Sequence, residues 1–150
     1  MKRNNITIRE FRIEDYDNVV NLWVEAGIHY RPKGRESRPR IEKEIKSGQA
    51  IFLVAVADTR IAGVVLGTHD GRKGWINRLA VAKEFRRQKV ASKLVTAVET
   101  RLNAKGIDII ACLIEPENYI SKTFFSKIGY TKARWSTSQK SPRQTLSCII

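Results

Sequence analysis

The spacing of apolar residues changes several times along this chain of 150 residues, and each change marks an element. Ile6 and Ile8 alternate with Thr7 and Arg9, so residues 6–11 read as a strand. Over residues 14–27 the period lengthens. Tyr16, Val19, Val20 and Trp23 fall at i, i+3, i+4 and i+7, one face of a helix, with Glu14, Asp15 and Asp17 at its positive end and Gly27 at its stop. Residues 28–40 lack periodicity and contain Pro32, Gly34 and Pro39, which predicts a loop. A short helix follows with Ile41 and Ile45 facing inward and Gly48 ending it. Residues 51–57 are apolar without interruption, as expected of a strand covered on both faces. Turn residues Asp58, Asp70, Gly71 and Gly74 then lead into strands over 61–68 and 75–81, an antiparallel meander.

The second half alternates in kind. Val90, Ala91, Leu94, Val95, Val98 and Leu102 form a helical stripe over 90–102, stopped by Lys105 and Gly106. Residues 109–114 are a short apolar run that fits a buried strand. Strand, helix, strand in this order predicts a right-handed crossover with the strands at 75–81 and 109–114 parallel. Pro116 breaks the chain, and Asn118 is a natural cap for a helix running to Ile128. Residues 130–136 and 144–150 read as two closing strands around a turn at Ser141 and Pro142. The sum is a mixed α/β domain of the α+β class, a sheet of six to seven strands flanked by about four helices. A ligand is expected where the parallel pair diverges near its carboxyl ends.

Composition narrows the picture. A chain of this length with 42% hydrophobic residues fits one domain, residues 1–150, burying roughly two thirds of its unfolded surface. Cys112 and Cys148 lie in apolar runs and are too few for a disulfide framework, so a reducing, cytoplasmic compartment is expected. The longest apolar run is far too short to span a bilayer, and no membrane association is expected. The net charge of +13 raises the prior for polyanionic partners. No zinc-finger spacing, RNA-binding aromatic signature or helix-turn-helix pattern accompanies it, which leaves a basic nucleic-acid module as the third-ranked reading. Its distribution says more: residues 71–93 hold eight Lys and Arg against Glu84 alone.

Four of those cations, Arg86, Arg87, Lys89 and Lys93, crowd the start of the helix at Val90. A helix N-terminus carries about half a positive charge, so each cation there is unfavourable by roughly 0.3–1 kcal/mol. An anion such as phosphate on the exposed N–H groups would resolve the conflict; a solvated charged face is the bland alternative.

These residues also resemble a family signature. Strand, Arg-x-x-Gly-x-Gly/Ala, helix is the acyl-CoA pyrophosphate motif of the GNAT superfamily of N-acetyltransferases, and Arg86, Arg87, Gln88, Lys89, Val90 and Ala91 resemble it, with Lys89 in place of the middle glycine. Asn118, Ser121, Phe124, Phe125, Gly129 and Tyr130 resemble the family's second motif at matching spacing. The resemblance covers nearly the whole chain. It implies acetyl transfer from acetyl-CoA to a primary amine by direct attack on the thioester, without a metal, and it is compatible with a homodimer. It implies that the backbone of Arg86, Arg87, Gln88, Lys89, Val90, Ala91 and Ser92 holds the pyrophosphate. Leu79, Ala80 and Val81 would pair the pantetheine arm like an added strand, with an N–H near Leu79 facing the oxyanion. Asn118, Ser121, Phe124 and Phe125 would lie on its other side, and the region after the first helix would close over the acceptor.

The proton-transfer groups do not carry over. The family's usual general acid is a tyrosine where this chain has Phe125, leaving Tyr119 or Tyr130 as substitutes. Asn77 and Arg78 stand where some relatives place a carboxylate, and Leu113 where N-terminal-acetylating relatives have a glutamate, which argues against close kinship with those enzymes. By position, Glu25, His29 and Glu115 are the candidate bases; for His29 and His69 an exposed loop role is the simpler reading. Lys89 and Phe125 motivate a second reading, an acyl-CoA-binding protein of this fold that does not catalyse. Residues 118–150 hold six Lys and Arg and no acid, so an acceptor groove lined by them favours neutral or acidic amines.

Overall fold

In the computed structural model the strand predicted at the start is β1, Ile6–Glu10, and it pairs antiparallel with β2, Ala50–Ala57, placing Ile6 opposite Ala57. The structure describes residues 4–132 and the backbone of residues 146–149. β3, Arg60–His69, and β4, Lys73–Val81, complete the meander, both longer than the apolar pattern alone indicates. The reason is the turn between them: the Asp70 carboxylate accepts the N–H groups of Arg72 and Lys73, each at 2.8 Å, and so holds the strands in register to their ends. β5, Ile109–Ile114, lies parallel to β4 as predicted. Two short strands close the sheet, β6 at Thr131–Lys132 and β7 at Leu146–Ile149, giving among the described residues the order β1-β2-β3-β4-β5-β7-β6. The expected turn at Ser141 and Pro142 lies outside the described residues.

Four α-helices accompany the sheet: α1 at Tyr16–Glu25, α2 at Arg38–Lys46, α3 at Val90–Ala104 and α4 at Tyr119–Lys127. α1 starts two residues later than the charge pattern suggests, because Ile13–Asp15 forms a tighter 3-10 turn in which Asp15 accepts the N–H of Arg12. The helix α2 begins inside the segment read as loop. Pro39 sits in its first turn, where a missing N–H is harmless. None of these helices is long and apolar enough to cross a membrane.

Neighbouring residues of β2 show how the layers are arranged. The Phe52 ring stacks on Trp23 of α1, whereas Ile51 lies beside Gly67 under Val98 of α3. Successive strand residues point to opposite faces, so α1 and α3 cover opposite sides of the sheet. This explains the uninterrupted apolar run of β2, whose Leu53, Val54 and Ala55 are fully buried. On the α3 side the approach is close. A Cβ on Gly67 would stand 2.6 Å from Val98 Cγ1, one on Gly74 2.6 Å from Leu102 Cδ1, and one on Gly63 2.9 Å from Val90 Cγ1. The row of glycines is a groove in which the α3 stripe is seated, and it fixes where that helix starts.

Two features of β4 open the sheet. Val64 faces Ala80 and Leu66 faces Asn77, so Arg78 and Leu79 together oppose Val65 in a β-bulge, with Arg78 at φ +51°. The pairing of β4 with β5 ends at Ile76 and Cys112. Beyond it β4 runs on to Val81 and β5 to Ile114 without pairing to each other, and the two strands part.

Candidate functional site

One wall of the resulting cleft is main chain. The N–H of Ala82 donates to Ala62 O at 2.8 Å, toward β3; by alternation, the N–H groups of Leu79 and Val81 face the opposite edge, where β5 has departed. A 3-10 turn at Lys83–Phe85 carries the chain from there to the start of α3. No side chain caps this helix, and its first bond runs from Lys93 N–H to Lys89 O, so the N–H groups of Val90, Ala91 and Ser92 stay outside the helical ladder. Arg87 and Lys89 adopt φ of +62° and +61°, the left-handed region that glycine enters freely and other residues at about 1–2 kcal/mol. The loop thus presents Lys89, exposed, at the helix start in a backbone conformation that glycine would hold without strain. Arg86 and Gln88 brace the loop: Arg86 Nε donates to Val81 O and Gln88 Nε2 to Glu84 O, both at 3.2 Å.

Across the cleft stands the start of α4. The Asn118 side chain accepts the N–H of Ser121 at 3.0 Å, the cap the sequence indicates. Asn118, Ser121 and Phe125 line a cavity of about 560 Å³ together with Leu79 of β4 and Leu113, Ile114 and Glu115 at the end of β5. Phe124 lies behind Phe125, their rings edge to face with centroids 5.0 Å apart. Ala80, Val81 and residues 86–92 lie outside the cavity lining, along the β4–α3 connection at its side.

The proton-transfer candidates are scattered. Glu115 and His29 line the cavity, whereas Glu25, exposed at the last turn of α1, does not. Tyr130 does not either: it is buried against Phe125, ring centroids 5.0 Å apart, and its hydroxyl has no partner among the described residues. Burial, with Glu99 adding to it, pushes its phenol well above the usual tyrosine range, so it holds its proton and faces no solvent.

The opposite wall is built from side chains that local pattern does not reveal. Arg78 reaches from the bulge to donate to Glu36 Oε1 at 2.5 Å and to His29 O at 2.6 Å, with its guanidinium 5.3 Å from the Trp23 ring centroid. Glu36, side chain 4% exposed, also accepts Arg35 Nε at 2.7 Å and the N–H of Arg31 at 2.8 Å, while Tyr16 donates to its carbonyl at 2.8 Å. Burial raises the Glu36 carboxyl, but the donors from Arg35 and Arg31 and the charge of Arg78 outweigh it and hold the group below the usual carboxylate range. Glu36 is the only acid among the five cations of residues 28–40, and that imbalance is the one sequence signal that could have singled it out. It pins this segment over the cleft.

Glu44 of α2 also lines the cavity, and no hydrogen bond reaches its carboxylate among the described residues. Burial pushes its carboxyl up, Arg35 opposes and Glu36 reinforces the shift. Trp23 contributes an indole N–H that is buried and without a partner among the described residues. No cluster of three metal-ligating side chains occurs among the described residues.

Residues 16–130 match the acetyltransferase (GNAT) family. The fold is similar to the N-acetyltransferase PaiA from Thermoplasma acidophilum in complex with coenzyme A, with TM-score 0.79 and 22% identity over 97% of this chain and 98% of that one. It is similar also to a GNAT acetyltransferase from Staphylococcus aureus Mu50, with TM-score 0.79 and 17% identity over 96% and 98% of the two chains. The ribosomal-protein-S18-alanine N-acetyltransferase from Escherichia coli is more distant, with TM-score 0.70 and 12% identity over 97% and 91%.

Proposed function

This chain belongs to the GNAT family of acetyltransferases, and on that premise we propose that it transfers the acetyl group of acetyl-CoA to a primary amine. The observation that carries the reading is the parting of β4 and β5 beside an uncapped helix: main-chain donors at Leu79 and Val81 continue into those of Val90, Ala91 and Ser92. Such a row matches a ligand that is amide-like at one end and anionic at the other. The N-terminus of α3 would take the pyrophosphate, with Arg86, Arg87, Gln88 and Lys89 framing it and Lys89 and Lys93 adding charge. Leu79, Ala80 and Val81 would bind the pantetheine arm along the free edge, and Asn118, Ser121, Phe124 and Phe125 would close its other side. The N–H of Leu79 would receive the carbonyl oxygen as it gains charge, a contribution of about 2.7–4 kcal/mol for one such donor.

Phe125 brings no proton to the leaving sulfur. A thiol of pKa ~8.5 leaves as thiolate without an acid, so transfer remains feasible at neutral pH. Tyr130, buried behind Phe125, takes no part in this reading. The second reading, a protein that binds the coenzyme without catalysis, is favoured by Phe125. Mixing the full chain with labelled acetyl-CoA and a panel of amino-acid, polyamine and peptide amines separates the two. Acetylated amine with equimolar free thiol is expected; retained coenzyme without product supports the second reading, and no coenzyme retention defeats both.

A further inference from the structure

Three carboxylates line the cavity, and their surroundings give them different chemistry. Glu36 accepts from Arg31, Arg35 and Arg78, which occupies both its oxygens. Glu115 stands exposed at the mouth, one residue past β5. Glu44 is three residues on from Ile41 and one before Ile45, so it shares the inward face of α2, half buried and without a hydrogen-bonded partner among the described residues. No protein donor engages this carboxylate among the described residues, and it stands on the cavity lining, open to a molecule that enters.

We propose that Glu44 is the general base that takes the proton from the acceptor amine, and that the acceptor arrives as a cation. The proposal rests on the transferase reading above. A primary amine of pKa ~10.4 is an ammonium at neutral pH and cannot attack until it loses a proton. Glu44 accepts that proton. The freed nitrogen then forms its bond to the acetyl carbon, the C–S bond breaks, and the thiolate leaves with the electron pair. The second proton on nitrogen passes through solvent to the thiolate, and Glu44 returns its own to solvent, so one amide, one thiol and one proton are produced per ammonium consumed. Elevation of the Glu44 carboxyl by burial suits it to this task, since a base works best near the operating pH. The other titratable groups on the cavity lining are His29, Arg35, Glu36, Arg78, Cys112 and Glu115.

The cavity charge supports a cationic acceptor. Glu36, Glu44 and Glu115 stand against Arg35 and Arg78, a local excess of acid in a chain of net charge +13. The contrary expectation of neutral or acidic amines drew on residues 118–150, of which the side chains from 133 onward lie outside the described residues.

The test uses the full chain with acetyl-CoA and glycinamide, spermidine or trialanine as acceptor probes. Glu44→Gln is expected to lower kcat/KM for the amine about a hundredfold, to remove the acidic limb of its pH profile, and to leave the KM for acetyl-CoA and the coenzyme-induced rise in Tm unchanged. Glu44→Asp retains the limb. Activity of Glu44→Gln within threefold of wild type with the limb intact overturns the base assignment alone. Loss of coenzyme binding in that variant also overturns it, since a base on the acceptor side does not hold the donor. A wild-type chain that binds acetyl-CoA yet acetylates none of the probes overturns the transferase reading together with this one.

Discussion

The two walls of the cleft solve the same problem with different material. The β4–α3 wall is backbone: the edge at Leu79 and Val81 and the start of α3 at Val90 present N–H groups left over by the fold itself. The wall at residues 28–46 is side chain: Glu36 gathers Arg31, Arg35 and Arg78, and Glu44 stands beside them without a hydrogen-bonded partner among the described residues. A main-chain wall tolerates substitution, because Lys89 can hold the φ of +61° that glycine would hold and leave the amides in place. A side-chain wall does not. In the proposed reading the first wall holds the acetyl donor and the second meets the acceptor.

That contrast is broken most forcefully at Glu36. Glu36→Gln leaves Arg78, 13% exposed, without its counter-charge, and breaking a buried pair this way costs about 3–5 kcal/mol. A urea melt should show that loss, while acetyl-CoA still raises the Tm of the variant; loss of the coenzyme response as well would mean that the walls are one unit. The donor wall is best disturbed from beneath. Gly67→Ala places a methyl 2.6 Å from Val98 Cγ1, lifting α3 at a cost of about 1–3 kcal/mol. Coenzyme affinity should fall and the KM for amine should hold. Asn118→Ala removes the α4 cap and should cost about 1 kcal/mol in the same melt, with a parallel weakening of coenzyme binding.

Acid gives the smallest effect. Glu36 and Asp15 are both held below their ordinary values, Asp15 chiefly by hydrogen bonds from Arg9. Groups depressed in the folded state stabilise it above their unfolded pKa values, ~4.3 and ~3.9, and that gain is lost as pH falls through the folded ones. Stability should therefore decline below about pH 4. In Glu36→Gln the decline should be shallower, with the Asp15 share remaining.

Local rules made several elements that frame the cleft legible. The α3 stripe, the Asn118 cap and the limits of β5 follow from period, cap chemistry and apolar run, each decided within a few residues. The cations crowding α3 pointed to an anion for the same reason. The bulge at Arg78 was not legible, since it depends on where β3 and β5 lie. Nor was its partner, 42 residues earlier in the chain. The start of α2 was missed because Pro39 punctuates a loop and opens a helix equally well. Glu44 sits between these cases. Its place on the apolar face with Ile41 and Ile45 was there to be read, but only the cavity gives that carboxylate something to do.

Amide hydrogen exchange across residues 79–92, with and without acetyl-CoA, tests most directly the claim that backbone donors left by the parting of β4 and β5 hold the coenzyme. At a hundred times its dissociation constant the ligand should add about 2.7 kcal/mol of stability, and the amides of Leu79, Val81, Ala91 and Ser92 should slow beyond that global increment. Stabilisation without selective slowing at these amides, or no stabilisation at all, would contradict it.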